Sequence, residues 1–365
     1  MTELRKDYLL DRYVIIAEKR GKRPHQFKDD NAAAIDTENS TDKQLSEAAK
    51  TFAVAEKILA AEKKTCFFCP GNESMTPDEI YRITVPDNEG KWQIRVFPNK
   101  FAAVSDVHVS EKGETKELDG EIKTHNEFFT FADGVGYHEV VVETNDHAKQ
   151  LADLTIEEMA DVFRTYVLRI KELDKKHSVK YVLVFKNHGK DAGTSIVHSH
   201  SQIVAYNLVP TVIQEKERAV KHYAENADKN KSLPHCPYCK ILNIEKTSHR
   251  KVHENNTFVC FTPYASRVPY EIWFFPKRHV VSVVDLNDGE LYDLCALLKQ
   301  VLLKLKVMGA SFNYYLHNGT GKEKQFHFHI ELLPRTSKWA GFELGSDTII
   351  NTTSPEDAAE YYRGL

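Results

Sequence analysis

The feature that most constrains the fold is that the chain repeats itself. Cys66 and Cys69 in "TCFFCPGNE" open one half, and Cys236 and Cys239 in "HCPYCKI" open the other. After each pair come a β-rich run ("YHEVVVETNDHAKQLADL" or "PYEIWFFPKRHVVSVVDL"), a helical run (155–173 or 288–306), a strand and a His-x-His motif. Glu139 precedes His147 by eight residues, and Glu271 precedes His279 by eight. An Asp-Leu pair begins six residues after each of those histidines, at Asp153 and Asp285. His147 to His198 spans 51 residues and His279 to His327 spans 48. A strand–helix–strand–strand unit buries its apolar faces by laying a helix against an antiparallel sheet. The expectation is a duplicated α+β fold, two antiparallel half-barrel sheets flanked by helices. The halves are placed at 1–215 and 216–365, and the charged stretch 222–235, with its Asn and Pro, is read as the linker.

Composition narrows the chemistry. Of 365 residues, 41% are hydrophobic and 28% charged, an ordinary globular balance. The formal net charge is −4, so no overall basic field draws the chain to nucleic acid. No apolar run is long enough to span a bilayer and no apolar segment follows "MTELRKDY", so a cytoplasmic protein with no membrane partner is expected. An Ala-rich run from Leu45 to Ala61 reads as one amphipathic helix. The polar stretch around 110–128 reads as an exposed loop or hairpin.

Four of the six cysteines form the two CxxC pairs, which in such a chain read as metal sites more readily than as disulfides. Cys260 and Cys295 stand among apolar residues and read as buried filler. Each half then offers two thiolates and two imidazoles: Cys66, Cys69, His147 and His198 in the first, Cys236, Cys239, His279 and His327 in the second. Cys2His2 is a normal ligand set for structural zinc, and four protein ligands close its sphere. Two zinc ions per chain are therefore expected, as scaffold rather than Lewis acid. The bland alternative for His147 and His279 is polar residues at strand ends.

The stretch "SIVHSHSQIVA" carries the reactive chemistry. In a strand, alternate side chains share a face, so His198, His200 and Gln202 point one way. With His198 taken as a ligand, His200 is free, and a neutral imidazole is a nucleophile without first losing a proton. Gln202 beside it can donate an amide N–H to a developing phosphoryl oxygen. The second motif reads His327-x-His329-x-Glu331; a carboxylate there repels phosphate, and Lys324 stands at the position of Ser195. One active half and one structural copy are expected.

With these motifs the sequence resembles the histidine-triad superfamily, and within it the galactose-1-phosphate uridylyltransferases and their ADP-glucose phosphorylase-like relatives. The resemblance spans nearly the whole chain. It rests on "RGKRPHQF", the CxxC pair, "RVFPNKFAA", "GYHEVVVE", "NDH", "FKNHGKDAGTSIVHSHSQ" and "GFELG". It implies that His200 takes the nucleotidyl group and that His198, His147 and the first CxxC hold zinc. By the same resemblance Arg20, Arg23, Asn99, Asn187, Ser195 and Gln202 contact nucleotide and phosphate, Glu343 contacts the sugar phosphate, and the protein is a homodimer. Two features lean to the phosphorylase branch: the CxxC of the second half, and "TIIN" after "GFELG", where a glutamine that the uridylyltransferases use on the hexose is missing. The expected function is double displacement through a nucleotidyl-histidine, with UDP-glucose and galactose-1-phosphate as the pair. The alternative enzyme is an ADP-sugar phosphorylase. A zinc-ribbon binding module without turnover, for example for RNA, is the reading from another class; it leaves His200 unexplained.

Overall fold

The structure is a computed structural model, and it describes residues 2–18, 62–85, 91–109, 115–118, 120–121, 123–226 and 236–364. Arg20, Arg23 and the helix expected at 45–61 lie outside the described residues.

Ten strands form one antiparallel sheet. In chain order they are β1 (Tyr81–Thr84), β2 (Trp92–Pro98), β3 (Gly136–Val142), β4 (Tyr181–His188), β5 (His200–Tyr206), β6 (Lys251–Glu254), β7 (Phe258–Phe261), β8 (Ile272–Pro276), β9 (Phe312–His317) and β10 (His329–Pro334). Their spatial order is β6-β7-β8-β10-β9-β4-β5-β3-β2-β1, the same half-sheet written twice and joined at its fourth strands. At that seam Phe185 pairs with Tyr315 and Asn187 with Asn313. The two expected half-sheets are therefore continuous with each other. Gly189, just past the seam, has φ +83°, and a Cβ on it would come 2.2 Å from Ser311 Oγ, so only glycine lets the halves approach here.

Each half supplies one long helix to the same sheet face: α1 (Ile156–Leu173) and α4 (Asp288–Met308). Both begin with a reciprocal cap. Thr155 Oγ1 accepts from the Glu158 amide while Glu158 Oε2 accepts from the Thr155 amide, and Asn287 and Glu290 repeat the arrangement. Met159, Val162, Phe163 and Tyr166 of α1 and Leu294, Leu298, Val301 and Leu305 of α4 bury themselves against Val141, Val184, Ile203, Phe274 and Ile330 of the sheet. Cys295 and Cys260 belong to this core, as expected.

The opposite face differs between the halves. Over β8 it is covered by α2 (Thr211–Asn226) and α3 (Pro237–Glu245), whose Val220, Tyr238, Ile241 and Leu242 pack on Trp273 and Phe275. Residues 222–226 of the expected linker thus continue α2, because Val220 is anchored in this layer; 227–235 lie outside the described residues. Helix α2 also runs across residue 215, where the halves were divided. Around 107–131 the chain forms two exposed short hairpins, as read from its polarity.

The strand registers revise one detail of the repeat. Gln202 stands opposite Val140, and its counterpart Glu331 stands opposite Trp273. In the sheet His138, not Glu139, therefore corresponds to Glu271. A one-residue slip turns a side chain to the other face. Glu139 accordingly points to the helical layer, where Arg169 of α1 donates to both its oxygens at 2.7 and 2.8 Å. Glu271 points to the opposite face and bonds Arg267 and Trp273.

Candidate active site and metal clusters

His198 and His200 reach the same face of the sheet as expected, and hydrogen bonds fix what each ring offers. The carbonyl of His198 can only accept, so His200 Nδ1, 2.8 Å away, carries the proton. Its Nε2 keeps the lone pair. Burial, helped by the nearby Lys186 ammonium, lowers the pKa of His200 and favours the neutral ring. Phe68 packs edge-on to it, ring centroids 5.3 Å apart. Beneath the strand the buried Lys186 Nζ donates to the His200 carbonyl at 2.9 Å, to Ser199 Oγ at 3.1 Å and to Glu143 Oε2 at 2.6 Å. Burial would raise the Glu143 pKa, but Lys186 and Ser199 hold it below the usual range. This ion pair is buried, so it fixes the backbone under His200 as long as both partners remain.

Gln202 is oriented by a residue to which sequence reasoning gave no role. His138 Nδ1 accepts from the Ala103 amide at 3.1 Å, which leaves the ring proton on Nε2. That Nε2–H donates to Gln202 Oε1 at 2.8 Å, and Asn99 Nδ2 approaches the same oxygen at 3.4 Å. With its carbonyl held, Gln202 presents its amide N–H2, which meets no partner among the described residues. Asn187 is treated alike: Asn313 Nδ2, from the other half, donates to Asn187 Oδ1 at 2.7 Å and to the Ala192 carbonyl at 2.9 Å. Two neutral amide donors are thus turned outward, the arrangement an anionic phosphate tolerates. His138 was present in the quoted "GYHEVVVE"; its even spacing from Val140 on the inward face was the available signal. Asn313 had none, because it comes from another half.

Two adjoining cavities lie here, one beside His200 and Asn187 and one beside Asn99; Gln202 lines neither. One, of about 300 Å³, is lined by Asn187, Ser195, Ile196, His198 and His200 with the 188–199 loop. Gln150 Nε2 ties that loop by donating to the Val197 carbonyl at 3.0 Å. The other, of about 170 Å³, is an apolar slot between Phe67, Phe68, Phe97, Phe101, Val140 and Ile196, with Asn99 at its edge. Ile196 lines both. Glu343 lines neither; it sits in the short helix Gly341–Ser346, where its Oε2 accepts from the Ala340 amide at 2.9 Å.

The structure brings both expected Cys2His2 sets together. In the first, Cys69 Sγ lies 3.2 Å from His147 Nδ1 and 3.5 Å from His198 Nδ1, and Cys66 Sγ lies 3.6 Å from His198 Nδ1. In the second, Cys239 Sγ lies 3.4 Å from His279 Nδ1 and 3.5 Å from His327 Nδ1. Such S···N edges match a tetrahedron with bonds of about 2.3 Å to sulfur and about 2.0 Å to nitrogen. The outer nitrogens agree: Nε2 of His198, His279 and His327 each faces a backbone carbonyl, of Thr144, Lys324 and Pro276 respectively. An Nε2–H donated outward leaves Nδ1 as an inward ligand. The residues fit a soft divalent ion, and two thiolates would neutralise its charge. The first set is buried throughout, whereas His279 of the second lies at the surface.

At the His200 position of the second half, His329 is fully buried under α2. Lys216 Nζ lies 2.8 Å from both His329 Nε2 and His317 Nδ1 and donates to Glu331 Oε1. Arg267 holds the other Glu331 oxygen at 2.5 Å, and Phe275 stacks on His329 at 4.7 Å. Glu331 is thus not a free negative charge facing a pocket, as its sequence position suggested. It is neutralised inside a filled one.

Comparison with known proteins agrees with this geometry. The model of the galactose-1-phosphate uridyl transferase N-terminal domain matches residues 1–210, and one described as a domain of unknown function matches 140–362. An ADP-glucose phosphorylase of Arabidopsis thaliana is 32% identical over 99% of this chain and 92% of its own length. A galactose-1-phosphate uridylyltransferase of Thermotoga maritima is 33% identical over 62% of this chain and 74% of its own. The crystal structure of an Arabidopsis thaliana ADP-glucose phosphorylase with bound ADP-glucose superposes with a TM-score of 0.76 at 29% identity, covering 100% of this chain and 99% of that one. The chain therefore belongs to the galactose-1-phosphate uridylyltransferase family, its ADP-glucose phosphorylase branch included, and is a nucleotidyltransferase.

Proposed function

We propose that the nucleotidyl group passes through His200. Its Nε2 lone pair attacks the α-phosphorus of a nucleotide-sugar; an N–P bond forms, the P–O bond to the β-phosphate breaks, and sugar-1-phosphate leaves with the electron pair. A phosphate oxygen of the second acceptor then attacks the same phosphorus, and the N–P bond breaks to return the lone pair to Nε2. Gln202, Asn187 and Ser195 serve the phosphoryl oxygens, and the apolar slot beside Phe68 and Asn99 takes the base. The observation that carries this reading is the Nε2 of His200, without a hydrogen-bond partner among the described residues, beside two outward-facing amides. Arg20 and Arg23 join the nucleotide contacts and Glu343 the sugar phosphate, as the family resemblance implies.

The same reading places a zinc ion in each Cys2His2 set, as scaffold, in a cytoplasmic homodimer. Among the described residues no helix is long and apolar enough to cross a membrane. The principal pair of substrates is UDP-glucose and galactose-1-phosphate. A second reading, phosphorolysis of an ADP-sugar, is favoured by the full-length match to ADP-glucose phosphorylase. The test is a single-turnover incubation with UDP-glucose, ADP-glucose and a GDP-sugar in turn, without acceptor. One donor is expected to release one equivalent of sugar-1-phosphate per site. The acceptor that then regenerates free enzyme, galactose-1-phosphate or inorganic phosphate, decides between the two readings. Release that depends on the acceptor being present from the start would defeat double displacement.

A further inference from the structure

Beneath α2 lies a cluster that nucleotidyl transfer does not use. His317 Nδ1, His329 Nε2 and Glu331 Oε1 lie within 4.8 Å of one another, and their residues are at most 4% exposed. Two imidazoles and a carboxylate form a divalent-metal ligand set. In this chain Lys216 Nζ stands among them, bonded to all three. An ammonium has three N–H donors and no acceptor, and here each donor meets one acceptor. The tautomer agrees. His329 Nδ1 lies 2.9 Å from the His327 carbonyl and carries the proton, so Nε2 turns its lone pair to Lys216. The face of Trp273 closes the site at 5.4 Å from the ammonium.

We infer that the second half contains a cation site of His317, His329 and Glu331 whose resident cation is the chain's own Lys216 ammonium, and that shortening this side chain lets the site take a divalent metal or an ammonium ion from solution. Without Lys216, two lone pairs and one carboxylate oxygen would converge on a buried hole, a costly arrangement unless a cation enters. The arrangement also commits the His329 Nε2 lone pair, which withdraws it from attack on phosphorus. The inference depends neither on the donor nucleotide nor on what the Cys2His2 sets hold, because uptake is counted against the wild type.

The experiment is Lys216→Ala equilibrated with Co²⁺. Elemental analysis should give one equivalent more than the wild type. The added absorption should lack thiolate-to-metal charge transfer, since the ligands are nitrogen and oxygen, and adding Glu331→Gln should remove it. In parallel, ammonium chloride should raise the melting temperature of Lys216→Ala above its value in equal sodium chloride, and leave the wild type unmoved. If the variant is recovered only unfolded, refolding with Co²⁺ or ammonium should restore it. The inference is overturned if neither cation adds to the protein, stabilises it or restores its fold.

Discussion

The two halves set the same His-x-His motif on the same sheet face, and comparing them shows how differently the two motifs are surrounded. Around His200 the sheet face is open to two cavities, and the polar neighbours turn their hydrogen-bond donors outward. Around His329 the same face is closed by α2, and the polar neighbours turn inward onto Lys216. The metal-type clusters are kept in both, so on the proposed mechanism the two halves share the scaffold and not the reactivity. What differs is the covering layer. On the proposed mechanism, a helix with one well-placed lysine converts a nucleophile position into a structural one.

The comparison can be broken most severely at the two histidines. His200→Asn should lower nucleotidyl transfer by at least about a thousandfold, as loss of a covalent nucleophile does, with the melting temperature nearly kept. His329→Asn should leave the transfer rate within about threefold and cost roughly 1–3 kcal/mol in a denaturant titration, because Lys216 loses an acceptor. Equal rate losses in both would erase the distinction between the halves. Below the sheet, Lys186→Met should destabilise by about 3–5 kcal/mol, since it leaves Glu143 buried and unpaired.

Smaller effects sharpen the contrast. His138→Phe frees the Gln202 carbonyl and should lower kcat by up to about a hundredfold with KM changed less, while His138→Gln, which can still donate, recovers part of it. Cys66→Ser and Cys236→Ser should each remove one zinc and lower the melting temperature. The first should also slow transfer, because His198 precedes His200 by two residues; the second should not. A Cys236→Ser enzyme as slow as Cys66→Ser would show that the second cluster serves catalysis.

Much of this was legible in the sequence because repetition and period-2 alternation are local. The two Cys2His2 sets, the long helices and the face shared by His198, His200 and Gln202 follow from spacing alone. The Glu139–Glu271 match failed because spacing from a histidine counts residues, whereas a sheet counts faces, and the halves differ by one residue between strand and ligand. Lys216 was not legible at all. It stands in "QEKERA", a charged run on a helix, and only the packing of α2 over Trp273 and Phe275 turns it inward. Asn313 was hidden likewise, since its partner Asn187 is met across the seam.

The central claim, one covalent half and one plugged half, is tested most directly by finding where the nucleotide stays. The protein is incubated with the productive nucleotide-sugar without acceptor, its intact mass is measured, and the adduct is mapped by peptide. The account predicts one nucleoside monophosphate per chain, on the peptide that contains His200, absent in His200→Asn and unchanged in His329→Asn. An adduct on the peptide containing His329, or turnover with no adduct on either, would contradict it.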